Sequence, residues 1–124
     1  MLTASLIIAL TSVYDGDTFR VDLPCSLPIS CHNIPVRVRG IDTPELRAKC
    51  SEEKLRASQA KNVATKMLEA SSKIELRNIK RGKYFRIIAD VYIGGVSFSE
   101  KMLESGLARR YDGGSRDSWC EPVK

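Results

Sequence analysis

Between residues 34 and 41 the chain reads IPVRVRGI, which places Val36 and Val38 on one side of an extended strand and Arg37 and Arg39 on the other. Two earlier runs, Ser5 to Tyr14 and Thr18 to Leu23, are rich in β-branched and aromatic residues and flank Asp15-Gly16-Asp17. An Asp-Gly step between such runs predicts a hairpin, with glycine supplying the positive φ of the turn. Over Ser51 to Ala70 the period changes. Leu55, Ala60, Val63, Ala64, Met67 and Leu68 recur at helical spacing, Ser51 stands where a cap belongs, and Glu52 and Glu53 sit at the positive end of the helix dipole. Two more strands are predicted at Lys73 to Ile79 and Tyr84 to Ile93, joined by the basic turn Lys80-Arg81-Gly82-Lys83. Ser97-Phe98-Ser99-Glu100 has the capping-box pattern of a short second helix, and Gly106 suits the position just past its end. The tail from Arg109 reads as polar and irregular.

Three strands, a helix, two strands and a helix predict a small closed Greek-key barrel rather than parallel β-α-β units. The 124 residues contain no repeat or linker, so a single domain over 1–124 is expected, long enough to bury a core. A composition 43% hydrophobic and 28% charged argues against disordered, fibrous and membrane classes. The longest apolar run, Leu6 to Leu10, is too short to cross a bilayer and lacks the basic start and cleavage site of a signal peptide. It reads as a strand, and no membrane partner is expected.

Charge adds a direction. With 20 Lys+Arg against 15 Asp+Glu, the net +5 permits a polyanionic partner without requiring one. The four cysteines, Cys25, Cys31, Cys50 and Cys120, allow three pairings that sequence does not choose between. Cys25 and Cys31 bracket the loop-like CSLPISC and could bridge locally, in which case Cys50 and Cys120 would tie the middle of the chain to its tail. Free thiols in a reducing compartment are the rival reading; pairing would imply an extracellular or periplasmic setting. A zinc site lacks both a C-x-x-C pair and a second histidine.

Chemistry enters through two acidic clusters. Asp15 and Asp17 lie in the first hairpin turn, and Asp42, Thr43 and Glu45 follow the third strand. Taken singly, each has a structural reading: turn chemistry for the first, and Thr-Pro-Glu opening a helix for the second. If consecutive strands are neighbours, however, the two clusters meet at one end of the sheet and offer the oxygen ligands that a hard divalent cation needs. Arg37 lies on the polar face of the third strand, and Arg86 sits in the apolar run YFRIIADV, where a charge is costly unless it is paired or faces a ligand. Arginine's planar fork suits phosphate. Metal carboxylates, a base and two arginines are the parts that phosphodiester hydrolysis requires.

These residues carry a resemblance. YDGDTF, VRVRGIDTPE and GKYFRIIADVY, in this order and spacing, resemble the staphylococcal nuclease family from about Ser5 to about Tyr111, including ESGLA at the end of the second helix. The resemblance implies an α+β fold, an OB-fold five-stranded Greek-key barrel packed with two to three helices. It implies Ca²⁺-dependent cleavage of DNA and RNA with little sequence preference, single strands favoured, leaving 3′-phosphate ends. It assigns Asp17, Asp42 and Thr43 to the metal, Asp15 to a supporting acidic position, and Arg37, Glu45 and Arg86 to catalysis. Lys83, Tyr84 and Tyr111 fall in the nucleotide-binding region. Phe85 replaces a glycine of the type member, and Tyr111 is followed by Asp112 and Gly113 rather than by a second tyrosine two residues on. A monomer is expected. The alternative is an inactive barrel that binds single strands or protein, and the complete acidic and arginine set favours the enzyme.

Overall fold

A computed structural model of the chain describes residues 5–24, 31–83, 86–114 and 118–120. The runs flanking Asp15-Gly16-Asp17 form the antiparallel strands β1 (Ser5–Asp15) and β2 (Thr18–Asp22), with Val13 opposite Phe19. Gly16 does not adopt the positive φ expected of it. Its role is close approach, since a Cβ there would lie 2.9 Å from Thr43 Cγ2 and 3.1 Å from Ala60 Cβ. The alternating stretch divides into β3 (Ile34–Val38), which pairs with β2, and β4 (Ile41–Asp42), because the chain turns at Gly40 with φ 89°. Helix α1 (Ser51–Ala70) follows, then β5 (Ile74–Arg81), β6 (Ile87–Ile93), β7 (Val96–Ser97), α2 (Phe98–Glu104) and β8 (Arg109–Arg110).

The sheet runs in the order β3-β2-β1-β5-β6-β7, and a parallel pairing of β3 with β6 shuts five strands into a mixed barrel. This is the expected OB-fold. Inside it Phe19, Val21, Val36, Val38, Leu76, Ala89 and Val91 are buried, and Phe98 of α2 meets Phe19 edge-on at 6.3 Å between ring centroids.

Three local expectations change. Helix α1 is preceded by Cys50 rather than capped by Ser51, and the Cys50 side chain makes no cap bond. Its buried face is Glu53, Ala57, Ala60, Ala64 and Leu68, while Leu55 is 63% exposed. Small side chains let the helix lie close to the barrel, so packing selects the alanine row over the larger residues. The tail beyond α2 is not irregular throughout, because Arg109 and Arg110 form β8 against Asp42 and Ile41. At the N-terminus of α2, the Ser97 hydroxyl accepts from the Glu100 amide at 3.3 Å, as its motif predicts.

Candidate active site: an acidic pole beside a basic cleft

The β1–β2 turn and the segment leaving β4 meet at one end of the barrel. Asp15, Asp17, Asp42 and Thr43 are all buried there. The Thr43 amide donates to Asp17 Oδ2 at 2.9 Å, the Thr18 hydroxyl donates to Asp17 Oδ1 at 2.9 Å, and the Asp17 amide donates to Asp15 Oδ1 at 3.1 Å. Arg37 Nη1 stands 3.5 Å from Asp17 Oδ2. Burial, and then the adjacent Asp17 charge, push the Asp15 carboxyl up to about 8. Crowded carboxylates in a poorly solvated place hold a proton unless positive charge is supplied. Hard oxygens with an excess of negative charge are the donor type that suits a divalent cation, which Asp17, Asp42 and Thr43 would hold.

Glu45 follows the fully buried Pro44 and is exposed to solvent. Its amide donates to Oε2 of the buried Glu53 at 2.8 Å, so the first turn of α1 fixes the backbone that presents the Glu45 side chain.

Trp119 joins this site without any signal in the sequence patterns. It is 4% exposed, and its indole N–H donates to Asp42 Oδ2 at 3.1 Å, across 77 positions of chain. Arg109, the ladder partner of Asp42, lays its guanidinium 3.7 Å from the Trp119 ring centroid and donates to the Ser118 carbonyl at 2.9 Å. The next residue, Cys120, is disulfide-bonded to Cys50 at the start of α1. Cys50, Glu53 and Cys120 cluster closely, but the oxidised cysteines are not metal ligands. Cys31 is buried and disulfide-bonded, and Cys25 lies outside the described residues.

Beside the acidic pole opens a cleft of about 760 Å³. Arg37, Arg39, Lys80, Arg81, Lys83 and Arg86 line it, against Asp112 as the one lining carboxylate among the described residues. Arg37 is thus common to both halves of the site. Arg86 Nε is buried without a hydrogen-bond partner among the described residues, and the turn holding it is closed by the Gly82 amide donating to the Arg86 carbonyl at 2.9 Å. Arg39 is tied to Asp90 at 3.3 Å and to the Asn78 carbonyl at 2.6 Å, which makes it more a wall than a reaching group. The Tyr111 hydroxyl donates to the Gly114 carbonyl at 2.6 Å, and Arg37 stands 5.7 Å from the Tyr111 ring centroid. Lys83 is exposed at the rim, and Tyr84 lies outside the described residues. Lys80 and Arg81, which the sequence pattern assigns to a turn, instead end β5 and face the cleft.

A family model described as "Staphylococcal nuclease homologue" matches residues 35–119. The chain belongs to the staphylococcal nuclease family. The match begins in β3, takes in Arg37, the Asp42–Glu45 segment and Arg86, and reaches Trp119. Among curated relatives, the SPbeta prophage-derived endonuclease YokF of Bacillus subtilis (strain 168) is 33% identical over 107 residues, covering 82% of this chain and 33% of that protein. The probable staphylococcal-like nuclease CAN1 of Oryza sativa subsp. japonica is 33% identical over 76 residues, covering 61% of this chain and 21% of that protein. The chain therefore spans a third or less of the length of either relative.

Proposed function

We propose that the chain is a Ca²⁺-dependent phosphodiesterase that hydrolyses DNA and RNA, single strands preferentially, as a monomer. The observation that carries this reading is the placement of Arg37, which lies 3.5 Å from buried Asp17 and also lines the cationic cleft, so that a phosphate in the cleft reaches the acidic pole. Membership of the family and relatives named as nucleases support the same reaction class.

In this reading the cleft cations bind the nucleic-acid backbone without regard to base. Arg37 and Arg86 donate to the phosphate oxygens and stabilise the added charge of the pentavalent transition state. Glu45 takes the proton of the attacking water, and its backbone anchor on Glu53 limits where that carboxylate swings. Asp17, Asp42 and Thr43 would hold the cation, which when bound would neutralise charge at the phosphate and make a water more acidic. Cleavage of the 5′ P–O bond leaves a 3′-phosphate. The Cys50–Cys120 disulfide supports an oxidising compartment as the place of action.

The test is degradation of single-stranded DNA with added Ca²⁺ and with excess chelator, beside Asp42→Asn. Cleavage that needs Ca²⁺ and disappears in the variant is expected. Folded protein that binds the strand without cutting it would instead establish a binding module.

A further inference from the structure

Trp119 is buried, yet it stands apart from the barrel core formed by residues such as Phe19, Phe98 and Leu76. Its indole N–H meets Asp42 Oδ2 at 3.1 Å. Three separate features bring it there. The Cys50–Cys120 disulfide fastens the next residue to the start of α1. The Arg109 guanidinium covers the indole at 3.7 Å, and the same side chain holds the Ser118 carbonyl at 2.9 Å. Arg109 is itself the residue opposite Asp42 in the β4–β8 ladder, so the clamp and the carboxylate share one short sheet.

We propose that Trp119 is a positioning residue for Asp42: its indole N–H binds one carboxylate oxygen and fixes the orientation in which the group would meet a divalent cation. The inference rests on the cation-dependent reading above. A hydrogen bond to a ligating carboxylate orients the ligand, and losing such a partner typically weakens metal affinity about 10–100-fold. The indole N–H suits the task because it donates only and cannot compete for the cation.

The experiment is calorimetric titration of Ca²⁺ into wild-type protein, Trp119→Phe, and protein carrying benzothienylalanine at position 119, which keeps the ring shape and replaces the N–H with sulfur. The Ca²⁺ dissociation constant is expected to rise about tenfold or more in both variants, with the thermal midpoint in chelator close to wild type for the isosteric one. If Trp119→Phe folds poorly, the isosteric replacement alone decides. An unchanged dissociation constant in that protein overturns the assignment while leaving the nuclease reading intact. Wild-type protein that binds no Ca²⁺ overturns both. A lower chelator midpoint with unaltered Ca²⁺ affinity makes Trp119 structural and likewise rejects the assignment.

Discussion

The two halves of the site are built by opposite means. At the acidic pole the side chains are short and buried and are tied at both carboxylate oxygens, as when Asp17 accepts from Thr43 on one side and Thr18 on the other. In the cleft the side chains are long, and several, among them Lys80, Arg81 and Lys83, reach toward solvent. On the proposed reading the difference follows from the ligands: a divalent cation needs several oxygens converging on one point, whereas a nucleic-acid backbone needs charge and reach. Accuracy is therefore concentrated where burial and hydrogen bonds enforce it, and affinity where solvent leaves the side chains free to follow the strand. Arg37 and Arg86 are intermediate, half-buried at the boundary between the two.

Substitutions in the two halves are accordingly expected to fail differently. The largest effect is expected from Arg86→Lys, which keeps the charge but loses the fork; kcat for single-stranded DNA should fall roughly a hundredfold. A wild-type kcat would make Arg86 structural. Next is Gly16→Ala. The added methyl would lie 2.9 Å from Thr43 Cγ2 and 3.0 Å from Thr43 Cβ, so we expect a loss of about 1–3 kcal/mol in urea unfolding. The same push on Thr43 should weaken Ca²⁺ binding, and an unaltered Ca²⁺ affinity would show that the turn and the Thr43 segment are not rigidly coupled. Third, replacing Lys80 and Arg81 together by Ser should raise KM and spare kcat. The salt dependence of strand binding should become shallower by about 0.7 in log–log slope for each phosphate left without its cation. A drop in kcat alone would place these residues in the chemistry.

The smallest effect concerns Asp15→Asn in chelator. The folded carboxyl is raised to about 8 while the unfolded one keeps its ordinary value of 3.8, so folding of the metal-free protein becomes less favourable as pH rises from about 4 to about 8. The amide removes that penalty and can still accept from the Asp17 amide. Its thermal midpoint should therefore exceed wild type by more at pH 8 than at pH 4; the opposite order would contradict the burial argument.

How much is legible in the sequence depends on how local each signal is. Alternation in IPVRVRGI and the change of period at Ser51 locate strands and helix, because both patterns repeat within a few residues. The meeting of Asp17 with Thr43 needs more than the pairing of β2 with β3, because the chain turns at Gly40 and Thr43 follows β4, which lies in a separate two-stranded sheet. The alanine face of α1 escapes a hydrophobic pattern because hydrophobicity favours Leu55, whereas close packing on a barrel favours small residues. At Gly16 the Asp-Gly step suggests a conformational reason, when the true one is the distance to Thr43, which no single strand encodes. The pairing of β8 with β4 and the seating of Trp119 on Asp42 have no periodicity at all, and only the folded chain brings them together.

The parallel seam between β3 and β6 has a consequence for the order of assembly. It sets Val36 against Ile87 and Arg37 against Ile88, joining residues about fifty positions apart. A closure of that span carries a loop entropy cost that hairpins and helices avoid. Arg37 lies on one lip of the seam and Arg86 adjoins the other, so the arginine pair does not exist until the barrel shuts. A chain whose hairpins and helices had formed without this seam would still hold Arg37 and Arg86 apart, and on the proposed reading it would be chemically silent.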